Sequence, residues 1–210
     1  MTSEHAAVVH GRAVPRRAVD ALLESVPARD RETNRPESLA RAERQRRRWA
    51  TQVVVADELA RRACAERGLA LPPEVSPTRL LAVAETYVAD LGSIVAAALA
   101  HSPAARALLA ELEAEQNVPE TAVRDYYERN PDRFLTADAL RRGVDPFGRP
   151  TPADFLPYGQ VSESIAAELR RAAGTRAFFA WFDRARADVE YAAGHEHPGD
   201  PAHPDHEHRH

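Results

Sequence analysis

The fold class is decided by one long stretch, PESLARAERQRRRWATQVVVADELARRACAERG, residues 36–68. It opens with Pro36, which suits the first turn of a helix, and it closes at Gly68, which suits the left-handed residue that ends one. Apolar residues recur near a 3.6-residue period in the second half of the stretch, whereas the first half is nearly all polar. The stretch predicts one long helix whose second half lies in a core.

Prolines and glycines mark further elements on both sides of this helix. Ser76-Pro77 and Ser102-Pro103 each supply a helix cap followed by a first-turn proline. Asn130 ends another helix, because the residue before a proline, here Pro131, avoids the helical conformation. The predicted helices run over residues 15–25, 77–100, 103–116, 119–130, 137–142 and 160–188. Short strands are predicted within 6–14, with a turn at Gly11, and at 188–191. We therefore expect a mainly α fold with one short two-stranded β contact.

Composition excludes several classes of protein for this chain. The chain has 210 residues, a net charge of −4, a single cysteine and no lysine, so it has no internal disulfide and no global attraction to nucleic acid. No apolar run approaches the roughly 20 residues that span a bilayer, and residues 1–9 lack the basic start of a secretory signal. We expect a cytoplasmic protein whose partners are neither nucleic acid nor membrane.

Three segments, in this order, resemble the SurA-type and PrsA-type chaperones that carry parvulin prolyl isomerase domains. They are AAVVHGRAV (6–14), WATQVVVADEL (49–59, continuing to Leu69) and VPETAVRDYYERNPDRF (118–134). The helix over 158–191 is similar to the segment that follows the parvulin domain in that family. His10 stands where the family usually has asparagine. The resemblance implies a SurA-N-like helical core over 1–134 and 155–194, with residues 6–10 paired against 188–192.

The chain departs from that family where the chemistry would lie. Residues 135–154 form a Pro/Gly-rich stretch in place of a parvulin domain, and 135–160 contain neither histidine nor cysteine. Prolyl isomerase activity is therefore not expected, and no other catalytic signature is present. The resemblance implies a non-catalytic, chaperone-like protein that binds an unfolded or extended client polypeptide. We expect an apolar surface to hold this peptide, with contributions from Leu80, Tyr87, Phe178 and Trp181.

The C-terminal residues 195–210 form a His-rich tail. No apolar residue larger than alanine occurs there, so the tail is predicted to be disordered. Neutral imidazole is a good ligand for nickel, zinc and copper, which predicts a divalent-metal site and, as the alternative function, a metal-binding or carrier protein. The other interpretation is an inert solubilising tail; the core itself requires no cofactor. The candidate ligands are His195, His197, His203, His206, His208 and His210.

Two further features have simpler interpretations. Five arginines lie within 41–48, but acidic residues interleave them, which favours a solvated helix face over a phosphate-binding site. Cys64 lies among alanines in the long helix, which favours a buried small side chain over a reactive thiol.

Overall fold

The computed structural model describes residues 4–25, 36–71 and 93–196. Over these residues the chain is mainly helical, with a small three-stranded antiparallel sheet, so the predicted fold class is confirmed. Residues 29–36, whose polar and charged composition predicts a loop, lie outside the described residues except for Pro36. So do most of the predicted helix 77–100, with Leu80 and Tyr87, and the tail from His197 onward.

The elements follow the sequence punctuation closely. The strands are β1 (His5–Val9), β2 (Arg12–Pro15) and β3 (Glu190–Tyr191). The helices are α1 (Arg16–Ser25), α2 (Pro36–Arg67), α3 (Ser93–His101), α4 (Pro103–Ala114), α5 (Glu120–Arg129), α6 (Ala137–Arg142) and α7 (Tyr158–Ala185). Short 3-10 turns lie at Pro131–Phe134 and Pro152–Asp154. Gly68 ends α2 with a positive φ of 64°, as its position in the sequence predicts.

The sheet joins the two ends of the chain. Its strand order is β2-β1-β3, and β1 lies between its two antiparallel partners. Ala7 pairs with Tyr191 and Val8 with Glu190, which confirms the predicted pairing of the first and last strands. The second partner of β1 is β2, so the sheet has one strand more than the two-stranded contact that was expected.

The described chain divides into two compact units. The first unit comprises the described residues up to Leu108 and from Ala180 onward. Within it α2 packs against α1, α3 and the first two strands. Its core is built from small and β-branched side chains, which let helices and sheet approach closely. Its fully buried members include Ala7, Val9, Val19, Val53, Val55, Ala60 and Cys64.

The second unit comprises Leu109–Phe179 and has its own core. Val123 of α5, Phe134 of the first 3-10 turn, and Val161 and Ile165 of α7 form a buried apolar cluster. Tyr126, Tyr127, Leu156, Tyr158 and Leu169 are among the partly buried side chains that pack around it. No helix in the described part of the chain is long and apolar enough to cross a membrane.

Candidate functional site

The segment after β3 is held against the first unit by polar contacts. The amide of Ala192 donates to the carbonyl oxygen of Ala6 at 2.9 Å, which extends the sheet pairing by one bond. Gly194, with a φ of 84°, turns the chain, and the amide of His195 donates back to the carbonyl of Ala192 at 3.0 Å. The described chain thus extends two residues into the predicted tail, through Glu196.

His195 is buried, with 2% of its surface exposed. Its Nδ1 lies 2.8 Å from the hydroxyl of Thr51 on α2, which itself donates to the carbonyl oxygen of Arg47 at 2.9 Å. Because a hydroxyl has only one proton, Thr51 accepts the bond from His195, which therefore carries its proton on Nδ1. Burial lowers the pKa of His195, and the charges of Arg16 and Arg47 lower it further, while Glu196 and Asp20 oppose them.

A hydroxyl beside an imidazole is also the arrangement of a nucleophile and its general base. Here that interpretation fails, because Thr51 is completely buried and its proton is directed to the carbonyl of Arg47. With the hydroxyl proton on the bond to Arg47, the imidazole donates to Thr51 and does not act as its base. The Thr51–His195 contact is therefore structural.

Two further pairs extend this contact along α2. The hydroxyl of Tyr191 donates to Oε1 of Gln52 at 3.0 Å, and burial raises the pKa of Tyr191. The Nε of Arg48 lies 3.9 Å from Oε2 of Glu196, and Arg48 is only 5% exposed. The solvated face expected for the Arg-rich stretch therefore does not include Arg48, because the C-terminal segment covers it. We call this set the C-terminal anchor: Arg48, Thr51, Gln52, Tyr191, His195 and Glu196.

A surface pocket of about 440 Å³ lies beside the sheet, at the other end of the chain. It is lined by Glu4 and His5 at the start of β1, by Ala13 and Pro15 of β2, and by Arg17 of α1. Glu4 and Arg17 are exposed, and neither forms an ion pair with another residue of the described ranges. The pocket therefore combines apolar side chains with one acidic and one basic side chain.

The second unit contains a cluster of tyrosines around the 3-10 turn Pro131–Phe134. The rings of Tyr127 and Phe134 lie 5.0 Å apart, and the hydroxyl of Tyr127 donates to the carbonyl of Leu156 at 2.7 Å. The hydroxyl of Tyr126 and the guanidinium of Arg133 both contact Glu168 of α7, at 2.9 and 2.7 Å. These aromatic groups are thus structural: they fasten the 3-10 turn to α7.

The segment 135–157 is short but well connected. Leu135 and Phe155 form an antiparallel bridge, and the amide of Thr136 donates to the carbonyl of Asp154 at 2.8 Å. The carboxylate of Asp154 accepts bonds from the amide and hydroxyl of Thr151 and from Arg142, and these contacts lower its pKa. These contacts close the segment at its base, and the pair of Arg142 with Asp154 joins α6 to the second 3-10 turn.

Two large apolar side chains project from this segment. Phe147 is 70% exposed, and its amide donates to Oδ1 of Asp145 at 3.0 Å, which holds the chain in a tight turn. Leu140 on α6 is 61% exposed. These two side chains are the large apolar groups that the described part of the second unit exposes, and they are its candidate contact residues.

The residues predicted from the sequence are placed as follows. Phe178 is 3% exposed, and Trp181 is half-buried against the ring of Phe182, so neither offers an open apolar surface; their role in peptide binding stays a prediction. His195 is the only predicted metal ligand within the described ranges. Within those ranges no three histidine, cysteine or acidic side chains converge as a metal site. Cys64 is buried, as expected, and burial raises the pKa of its thiol.

The C-terminal anchor and the exposed Phe147 are absent from the sequence predictions. The sequence contains one signal for the anchor, because Thr51 and Gln52 interrupt the apolar half of α2. Polar side chains buried in a core helix need hydrogen-bond partners, so these two residues indicate a polar contact there. Phe147 gave no comparable signal, since an isolated aromatic in a Pro/Gly-rich stretch is compatible with either burial or exposure. No protein-family model, curated protein or solved structure matches this chain.

Proposed function

We propose that the protein binds an extended or unfolded polypeptide segment without catalysing a reaction on it, in the manner of a chaperone. The resemblance to SurA-type and PrsA-type chaperones supports this, and so does the pairing of β1 with β3, which that resemblance implies. The observation that carries the proposal is the exposure of Phe147 and Leu140 on the segment 135–154, which by the resemblance replaces a parvulin domain.

The physical argument concerns apolar surface held in place. Exposed apolar side chains gain about 1.5–3 kcal/mol each when a partner buries them fully. They gain more affinity when their backbone is already ordered, because less conformational entropy is lost on binding. The bridge between Leu135 and Phe155 and the turn at Asp145 supply that order. An unfolded client, whose apolar side chains are exposed, is the partner that this surface suits.

The test uses the full chain and a chemically denatured model enzyme as client. The double variant Leu140→Ser/Phe147→Ser removes the two exposed groups of the second unit. A matched control, Leu39→Ser/Leu71→Ser, removes two leucines that are 52% and 44% exposed in the first unit. We expect the first variant to weaken capture of the client by about ten-fold or more, and the control to leave it unchanged.

Two outcomes contradict the proposal. One is a wild-type protein that neither suppresses aggregation of the client nor binds any peptide of an array. The other is equal loss in both double variants, which would indicate nonspecific adhesion. Since all four positions are exposed, circular dichroism and urea denaturation are expected to show unchanged folding, so that a loss of binding is assigned to the surface.

A second candidate function, divalent-metal binding through the tail, is favoured by the concentration of histidines in the sequence. Five of the nine lie at positions 197–210. The affinity of neutral imidazole for nickel, zinc or copper falls as the ring becomes protonated, below a pH of about 6.5.

We also infer a cytoplasmic location. Internal disulfides are typical of proteins in oxidising compartments, and a chain with a single cysteine contains none.

The position of His195 decides how the tail should be tested. A chain truncated after Gly194 loses His195 and Glu196, and with them two members of the C-terminal anchor. Truncation after Glu196 removes the other histidines and leaves the anchor intact. We expect tight binding of one metal ion by the full chain, measured by titration calorimetry, and its loss in the chain ending at Glu196. Equal binding by both chains would exclude residues 197–210 as the metal site.

A further inference from the structure

The hairpin of β1 and β2 determines which backbone groups face outward. Its two turn residues, His10 and Gly11, both have a positive φ, 47° and 79°, which defines a type I′ turn. In such a hairpin the flanking residues Val9 and Arg12 exchange both hydrogen bonds, so the next pair, Val8 with Ala13, exchanges none. The amide and carbonyl of Ala13 therefore point away from β1.

On β1, the backbone groups that point away from the hairpin are already paired with another strand. Val8, whose backbone groups likewise point away from β2, pairs with Glu190 of β3. On the opposite side, β2 has no strand partner other than β1 among the residues that the structure describes. Ala13 is exposed, so its amide and carbonyl form an open edge. Pro15 has no amide proton and limits this edge to a short one.

The surface pocket borders β2. Ala13 and Pro15 of β2 line it together with Glu4 and His5 at the start of β1 and Arg17 of α1, so it holds a carboxylate and a guanidinium beside apolar side chains. In a strand added to the edge, alternate side chains would face the same side. A basic side chain and an acidic side chain two positions apart would therefore both face the pocket, where Glu4 and Arg17 complement their charges.

We propose that the free edge of β2 binds one extended strand of a partner polypeptide, whose acidic and basic residues at alternate positions pair with Arg17 and Glu4. Backbone bonds at Ala13 supply the alignment, and the two charges supply the sequence preference. This inference stands on the geometry of β2 alone and does not require Phe147 or Leu140 to bind a client, so either proposal can fail without the other.

The first test changes a single backbone donor. Ala13→Pro removes the outward amide proton and no bond of the hairpin, because that amide is not part of the β1–β2 ladder, and Arg12 before it is already extended. Ala13→Ser keeps the donor and is the matched control. The probe is a labelled synthetic peptide of alternating valine with one glutamate and one arginine two positions apart. We expect Ala13→Pro to bind the peptide about two- to ten-fold more weakly than Ala13→Ser, because that factor corresponds to the loss of one backbone hydrogen bond.

The second test exchanges the charges. Glu4→Arg/Arg17→Glu is compared against peptides that carry the glutamate and arginine in either order and against one with glutamine at both positions. We expect the wild-type chain to favour one charged order over the neutral peptide by up to about five-fold at low salt, and the exchanged variant to favour the opposite order. Glu24→Gln, an exposed change elsewhere on α1, is the control and should leave the preference unchanged.

The third measurement uses the unmodified protein. Hydrogen exchange of the Ala13 amide is expected to be fast in the free chain and slowed when the peptide is added. Equal affinities of Ala13→Pro and Ala13→Ser, or no binding of any of these peptides, would overturn the proposal. So would an Ala13 amide that is already protected in the free full-length chain, because another part of the chain would then occupy the edge.

Discussion

Replacing Thr51 by valine tests the C-terminal anchor at its most buried point. Valine has almost the same shape as threonine, so Thr51→Val removes a hydroxyl without opening a cavity. The Nδ1 proton of His195 then has no acceptor, although both residues are almost fully buried. An unsatisfied buried donor costs about 1–3 kcal/mol, and we expect the free energy of unfolding to fall by that amount. The carbonyl of Arg47 loses less, because it also accepts the ordinary bond of helix α2.

The assay is urea denaturation at neutral pH with a metal chelator present, followed by tryptophan fluorescence. Thr121→Val, an exposed change on α5, is the control and should shift stability by less than about 0.5 kcal/mol. The double variant Thr51→Val/His195→Leu replaces both partners with apolar groups and should recover much of the loss. A Thr51→Val variant as stable as the control would refute the assignment of this bond and of the His195 tautomer.

Three further results are expected from the same denaturation assay. His10→Asn should raise stability by up to about 1 kcal/mol, because asparagine adopts the left-handed conformation of a type I′ turn more readily than histidine; an unchanged or lower value would contradict the turn assignment. Gly174→Ala should destabilise by about 1–3 kcal/mol, since its Cβ would lie 2.3 Å from Cγ and 2.8 Å from Cα of Glu113, whereas Gly159→Ala in the same helix meets nothing and should stabilise by about 0.5–1 kcal/mol. The pKa of His195 is lowered on folding, so the unfolded chain binds the extra proton; stability should fall as pH drops below about 6.5, and this loss should be smaller in His195→Asn.

Much of the fold could be predicted because it is encoded by local rules. Ser102 followed by Pro103 predicts the start of α4, and the Ser102 hydroxyl indeed accepts from the amide of Ala105 at 3.0 Å. Gly68 and Gly143 end helices with positive φ, as expected for residues without a Cβ. Each of these signals involves groups within four positions of one another, so no knowledge of the rest of the chain is needed.

The candidate sites were harder to predict because the exposure and the role of each residue depend on which other elements surround it. In the sequence Phe147 and Phe134 are both aromatic residues close to prolines, yet the first is 70% exposed and the second 7%. The difference arises from α7 and α5, which enclose Phe134 but not the turn at Asp145. Likewise, the open edge at Ala13 depends on the strand order of the sheet. Because β1 pairs with β3 on one side and with β2 on the other, β2 lies at the edge.

The sequence by itself determined the helical class and the turn at Gly11, because hydrophobic period and turn chemistry are properties of short segments. The pairing of the chain's two ends follows only from the resemblance to SurA-type and PrsA-type chaperones, and the second partner of β1 is found only in the structure. Only the tertiary structure decided the role of His195. By composition it belongs with the histidines that follow it, but it is bonded to Thr51, 144 positions away. A polar side chain becomes part of a core only where a distant segment supplies both its burial and its partner, and that pairing exists only once the chain has folded.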